Sequence, residues 1–285
     1  MNCNKPVGVT SRVAVNNLYR RLRPAKVGHA GTLDPLASGV LLLPVGQASR
    51  LTEYLHALPK RYVAEFRLGV HTPSGDLEEQ PVALPDAPQP TDARIAAAAQ
   101  QLTGRIQQVP PAHSAIKIDG RRAYDLVRQG KQVTMKPRTV MIHELKVLHY
   151  RYPDVRLEIC CGSGTYVRSI GVDLAAACDT VAVMTSLVRT AIGDFTLPEA
   201  CSLEELREGD IDQLLLSPLR AVPHMPRVEC DEDTLKRIEQ GQVVELSRPA
   251  KDGGEVAAID AEQNLRAVLV PRGGGWRAKR SFHGA

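Results

Sequence analysis

The chain has 285 residues, of which 43% are hydrophobic and 24% charged, with a formal net charge of +4. That is length enough for a full core plus a small appendage, at a composition ordinary for a soluble globular protein. No run approaches the roughly 18 apolar residues of a membrane span, and the first residues carry no apolar leader core, so the expectation is a cytoplasmic protein with no membrane partner.

The six cysteines, Cys3, Cys160, Cys161, Cys178, Cys201 and Cys230, form no CxxC pair and no Cys/His set with zinc-ligand spacing. They read as buried free thiols, with Cys160 and Cys161 on opposite faces of one strand. Charge is spread unevenly. No acid occurs before Asp34, against Lys5, Arg12, Arg20, Arg21, Arg23 and Lys26. The segment 103–143 carries Arg105, Lys117, Arg121, Arg122, Arg128, Lys131, Lys136 and Arg138 against Asp119 and Asp125. After Glu262 only cations appear. Three basic segments separated along the chain suit a polyanion held over a wide surface.

In chain order, Ser11 is expected to cap an amphipathic helix through about Leu22, with Val15, Leu18 and Leu22 on one face. The glycines and proline of 26–38 break regular structure. Val40 to Val45 is an apolar run fitting a buried strand, and Ser49 opens a helix through about Ala57. Arg61 to Leu68 alternates as a strand, with Tyr62 and Ala64 on one face and Val63 and Glu65 on the other. Pro81 to Pro90 is a surface connection, and Thr91 to Leu102 an alanine-rich helix stopped near Gly104.

Ser114 to Ile118 with Asp119-Gly120 reads as a strand and tight turn, and Arg121 to Arg128 as a helix closed by Gly130. Thr139 to Tyr150, Val155 to Cys161 and Val181 to Ile192 are expected strands, and Thr165 to Ala177 a helix. Pro218 to Pro226 marks a boundary. It divides a larger unit, 1–222, from a small β module, 223–285, with strands at Val243 to Leu246, Glu255 to Ile259 and Arg266 to Val270. Strands and helices mix without regular βαβα alternation, so the fold class is α+β.

One stretch stands out for chemistry, Gly28-His29-Ala30-Gly31-Thr32-Leu33-Asp34-Pro35-Leu36-Ala37-Ser38-Gly39. Its glycines let backbone turn tightly and approach a ligand, and Pro35 biases Asp34 toward an extended conformation. A lone carboxylate follows a long basic segment and precedes an apolar strand. Taken by itself, this suits either a catalytic carboxylate or an Asp capping a turn. No GxGxxG, P-loop, nucleophile elbow or zinc-deaminase motif occurs, so no nucleotide, cofactor or metal site is implied.

The loop GHAGTLDPLASGVL closely resembles the signature of the TruB family of tRNA pseudouridine synthases. Further matches follow in the family's order: Lys5-Pro6 with Gly8 and Thr10-Ser11, then Lys60-Arg61-Tyr62. Pro111, Ser114-Ala115, Lys117 and Gly120 come next, followed by Tyr124, Arg128 and Gly130. Gly164-Thr165-Tyr166-Val167-Arg168-Ser169 and Leu187-Val188-Arg189-Thr190 complete the set. The resemblance spans about Asn4 to Pro218.

It implies a pseudouridine synthase domain on a large mixed, mainly antiparallel sheet, with the basic segment 103–143 as an insertion that clasps the T arm of tRNA. The carboxy-terminal module resembles small RNA-binding domains of the PUA type. Implied chemistry is the conversion of the T-loop uridine at position 55 without a cofactor: the base is flipped out, detached, rotated and rejoined through C5. Asp34 matches the catalytic aspartate, Arg168 the arginine paired with it, and Tyr62 the tyrosine stacked on the base. Leu187 matches the leucine packed on that base, and His29 the histidine filling the space it vacates. Lys5 and Tyr166 match positions that shape the pocket, and Asp76 an aspartate near the base.

The sequence departs from the family around Asp76, where Thr72-Pro73-Ser74-Gly75-Asp76-Leu77-Glu78-Glu79 lacks a second acid and a final glycine, and at Asn4, where the family often has Asp. The resemblance favours a stand-alone monomer needing no protein partner over a guide-RNA-dependent relative. Two rival classes are a uridine C5 methyltransferase, for which no S-adenosylmethionine fold or nucleophilic cysteine is visible, and a non-catalytic tRNA-folding chaperone.

Overall fold

The computed structural model describes residues 1–111, 114, 116–118, 120–129, 133–246 and 254–282. The expectations for Ala115, Asp119, Gly130 and Lys131 lie outside the described residues. The strands are β1 (Asn2–Lys5), β2 (Ala37–Leu42), β3 (Lys60–Leu68), the hairpin β4 (Val70–His71) and β5 (Val82–Ala83), β6 (Gly104–Gln108), β7 (Lys117–Ile118), β8 (Arg121–Arg122), β9 (Arg138–Arg151), β10 (Asp154–Cys161), β11 (Ala182–Ile192) and β12 (Phe195–Thr196). Between and after them run α1 (Ser11–Leu22), α2 (Thr52–Ala57), α3 (Asp92–Gln101), α4 (Ala123–Arg128), α5 (Val167–Ala177), α6 (Leu203–Glu208) and α7 (Ile211–Leu214). The last part of the chain adds β13 (Arg227–Glu229), α8 (Glu232–Glu239), β14 (Val256–Ile259), β15 (Leu265–Arg272) and β16 (Gly275–Ser281).

The main sheet has eight strands in the order β1-β2-β11-β3-β10-β9-β6, with β12 on the end of β11. Only β2 and β11 pair in parallel; the other ladders of this sheet are antiparallel. This is the α+β, mainly antiparallel architecture anticipated. A second sheet of four strands runs β13-β14-β15-β16.

Alternation along β2 explains its apolar run. Leu41 and Leu43 enter the large core with Val15, Leu18, Phe66, Ile170 and Leu174, whereas Val40 and Leu42 face Leu51, Leu55, Leu219, Ile259 and Val268. A strand covered on both faces needs no polar side. The second layer includes residues of β14 and β15, so the small sheet is packed on the large one through shared apolar surface. Lys279 and Arg280 reinforce that contact through Glu53, at 3.2 and 3.4 Å.

Several sequence expectations shift on folding. The cap of α1 is Thr10 rather than Ser11, whose side chain turns away to another partner described below. The strand expected at 40–45 begins at Ala37, because Gly39 adopts φ +103° and β11 pairs with it; a Cβ there would sit 2.2 Å from Arg189 O. The helix expected from Ser49 is a 3₁₀ turn over Gly46–Leu51 that leads into α2. Residues Arg121–Arg122 pair with Lys117–Ile118, so α4 starts two residues later than expected. Val243 to Leu246 contributes a single bridge, Val244 to Trp276, in place of a strand. Helix α8 was not anticipated, although Asp231 caps it at Thr234 N and Leu235 and Ile238 are buried. All six cysteines are free and buried, including both Cys160 and Cys161.

Helix α5 approaches β3 so closely that an added Cβ on Gly171 would lie 2.0 Å from the Phe66 ring, itself 1% exposed. Gly171→Ala should therefore lower the melting temperature by several degrees, since overpacking costs about 1–3 kcal/mol. Phe66→Leu in the same chain should recover part of the loss. A melting point unchanged by Gly171→Ala would refute this packing.

Candidate functional site

The glycine loop between α1 and β2 is irregular yet tightly bonded. Ala30 N–H donates to Leu42 O at 2.9 Å, Gly8 N–H to Pro35 O at 2.8 Å, and Ala37 N–H to Asp34 O at 3.0 Å. Ser11, the first residue of α1, donates its hydroxyl to Leu33 O at 3.1 Å and accepts from Leu33 N–H at 2.9 Å. One buried side chain thus satisfies both backbone groups of the residue before Asp34.

From beneath, Arg189 donates Nε to Val40 O at 2.7 Å and Nη2 to Gly31 O at 3.0 Å. It is 2% exposed. Neither Ser11 nor Arg189 was singled out as a site residue by sequence reasoning; both lie inside matched motifs, but their bonding reaches across 22 and about 150 residues and leaves no local periodic mark.

Asp34 projects from this loop with its side chain 39% exposed, and its Oδ2 lies 3.0 Å from Arg168 Nη2. Arg168, on the first turn of α5, is 7% exposed in its side chain. Its other amino group, Nη1, donates to Ser74 O at 3.1 Å and lies 3.1 Å from Asp76 Oδ2. Asp76 has no exposed surface, and its Oδ1 accepts from Glu78 N–H at 3.1 Å. Asp76 lies against Arg168, where its contact with the guanidinium is a charge contact rather than an aligned hydrogen bond. Loop 72–76 reaches this place because Met184 N–H donates to Gly75 O at 2.9 Å, tying it to β11.

Tyr62 and Arg189 are directly opposite across β3 and β11, and Leu187 lies opposite Ala64 on one side and Ala37 on the other. Tyr62 is 9% exposed; burial pushes its phenol up, against the lowering effect of the Arg189 charge. Leu187 is buried in the same core. Tyr166 caps α5 two residues before Arg168, its ring 4.8 Å from the Arg138 guanidinium.

Lys5 is fully buried and donates to Pro6 O at 2.9 Å and Val9 O at 2.7 Å, so it supports the 6–9 turn from below. Burial lowers it to about 8, with the Asp34 charge opposing and Arg189 adding. His29 is half-buried on the loop, and burial followed by the charges of Arg189, His56 and Arg12 lowers its pKa, which keeps the imidazole neutral near pH 7. The structure thus gathers Asp34, Arg168 and Asp76 into one ion cluster, sets Tyr62 and Leu187 in adjoining strands, and leaves Lys5 as a support. Among the described residues no group of three or more acids, histidines or cysteines could hold a metal.

Residues 19–167 match the family model described as TruB family pseudouridylate synthase, N terminal domain. A tRNA pseudouridine synthase B from Rhodopirellula baltica is 42% identical over 254 residues, covering 84% of this chain and 73% of that protein. One from Rhodococcus jostii is 42% identical, covering 95% and 89%. One from Dehalococcoides mccartyi is 37% identical, covering 99% and 95%. Among solved structures, that of a Cbf5-Nop10-Gar1 complex superimposes with a TM-score of 0.76 at 24% identity, over 99% of this chain and 84% of that one, a likeness of fold.

Removing the guanidinium would strand a buried carboxylate. Arg168→Met should destabilise the protein by about 3–5 kcal/mol. Arg168→Met combined with Asp76→Asn should be more stable than Arg168→Met alone, because the uncompensated charge is gone. Equal melting curves for the two would show that Asp76 does not depend on this arginine.

Proposed function

The chain belongs to the TruB family of pseudouridylate synthases, and on that footing we propose that it is a cytoplasmic tRNA pseudouridine-55 synthase acting on the T-loop uridine. The observation that carries this reading is the partly exposed Asp34 carboxylate held 3.0 Å from the buried Arg168, on a loop pinned by hydrogen bonds on both sides of it. The pairing offsets the cost of stripping water from the carboxylate as RNA closes over it.

The substrate base must leave the T-loop stack to reach Asp34, at a cost of a few kcal/mol that inserted protein groups offset. Tyr62 and Leu187 supply the aromatic and aliphatic walls against which it lies, and neutral His29 occupies the space it leaves. Asp34 acts on the ribose, either at C1′ or by taking a sugar proton, and both routes break the N1–C1′ bond. The detached uracil turns and C5 bonds to C1′ as Asp34 is displaced from C1′ or returns the sugar proton; the C5 hydrogen leaves as a proton, with Tyr62 assisting, and N1 regains one. No atom is added to the RNA, so the balance needs no co-reactant.

Residues 1–222 form the catalytic unit and 223–285 a PUA-like module that extends the RNA surface. The basic insertion holds the T arm through phosphates, which position the RNA without reading its sequence. Full-length similarity to proteins named tRNA pseudouridine synthase B supports a stand-alone enzyme over a guide-RNA-dependent one.

A T-arm stem-loop tritiated at C5 of uridine should release tritium to water on mixing with the protein alone, at one uridine, and unlabelled RNA treated the same way should keep its mass. Asp34→Asn should lower the rate at least ten-thousandfold, a loss of over about 5 kcal/mol of transition-state stabilisation, while RNA affinity stays within a few-fold. Release that requires S-adenosylmethionine, or none from a folded T arm, refutes the assignment.

A further inference from the structure

The basic insertion leaves the main sheet after β6 and returns at β9, and the last pair of that ladder is Gln108 opposite Arg138. Both side chains of this neck reach the same short segment, the loop that leads into α5. Gln108 is fully buried. Its Oε1 accepts from Tyr166 N–H at 2.7 Å and its Nε2 donates to Tyr166 O at 3.0 Å, so one amide imitates a strand partner for that residue.

Arg138 donates Nη2 to Gly164 O and lies over the Tyr166 ring with its guanidinium carbon 4.8 Å from the centroid. Val109, the next residue into the insertion, accepts from Ser169 Oγ at 3.1 Å. The gripped segment therefore runs from Gly164 to Ser169 and includes Arg168, which meets Asp34.

We propose that Gln108 and Arg138 are positioning residues, a clamp at the neck of the insertion that sets Tyr166 and the first turn of α5 and so aims Arg168 at Asp34. The loop 163–166, which leads into α5 and so to Arg168, belongs to no strand. Gln108 pairs with both backbone groups of Tyr166, whose carbonyl also accepts the first helical bond from Ile170 N–H at 3.3 Å, and Arg138 fixes the carbonyl two residues earlier and the ring. Loss of either leaves the arginine in place on its helix but lets the helix start drift, and displacement on the order of 1 Å at a reacting group costs about a hundredfold in rate. The proposal rests on the reading of this site as a pseudouridine synthase.

The test uses the full chain and the tritiated T-arm substrate under single-turnover conditions, with rates expressed per folded molecule from circular dichroism at the assay temperature. Gln108→Met keeps the volume and removes both bonds; Arg138→Leu removes the donor and the stacking cation. Each should lower the rate at saturating RNA ten- to a hundredfold while the dissociation constant for the T arm changes less than threefold. The double variant should be little worse than the poorer single one, because both act through one segment. Arg138→Lys, which keeps a donor for Gly164 O, should recover part of the rate.

Rates within threefold of the parent, additive losses in the double variant, or affinity lost in proportion to rate would each overturn the clamp; the last would make the neck a holder of RNA only. Absence of tritium release from the parent protein is a separate outcome that refutes the enzymatic reading itself.

Discussion

Arg168 stands between a carboxylate that reaches the surface and one that has none, at 3.0 and 3.1 Å. Burying Asp76 is costly without a cation, and burying Arg168 is costly without an anion. Each therefore fixes the other. The guanidinium cannot swing toward solvent without stranding Asp76, so its remaining amino group stays directed at Asp34. The buried acid acts as a counterweight, and the position of α5, the turn at 72–76 and its attachment to β11 all serve to hold that counterweight in place.

The same economy explains how an irregular loop presents the Asp34 carboxylate. A loop with unpaired backbone would move, and its polar groups would cost free energy wherever water is excluded. Here each strand-like bond is supplied from a different source: Ser11 from α1, Arg189 from β11, Leu42 and Pro44 from the chain beyond, and Pro35 tied back to Gly8. Gly39 lets β11 come within reach, since any Cβ there would overlap the Arg189 backbone. Rigidity is borrowed from the sheet, which is what placement of reacting atoms requires.

Much of this was legible in the chain. Alternation in β3, the capped helix α3 and the glycine-bounded Asp34 follow from local pattern, and the motif resemblance named Arg168 and Tyr62. Other features were not. Ser11 reads as a cap because serine at a helix start usually is one, yet its hydroxyl serves a loop 22 residues away. Asp76 is named by the family resemblance alone, and only the fold reveals its buried charge contact with Arg168. Gln108 carries no sequence signal, since a glutamine at a strand end is ordinarily a surface residue. The missed helix α8 is short and its two buried residues fall three apart, too few to establish a period.

Three further cations surround the site, and their partners are neutral. Lys5, Lys60 and Arg189 are 0, 7 and 2% exposed, and their hydrogen bonds go to carbonyl or hydroxyl oxygens: Pro6 and Val9 for Lys5, His56, Leu58 and Ser163 for Lys60, Gly31, Thr32 and Val40 for Arg189. Carboxylate partners would be the more usual way to bury such groups, but each would cancel the charge it stabilised. Carbonyl dipoles satisfy the donors and leave the positive potential standing. Burial lowers both lysines only to about 8, so near neutral pH they remain mainly charged. A site built this way keeps one open carboxylate, Asp34, in a field that still favours an anion. That arrangement lets an open carboxylate and a positive local potential coexist in one site.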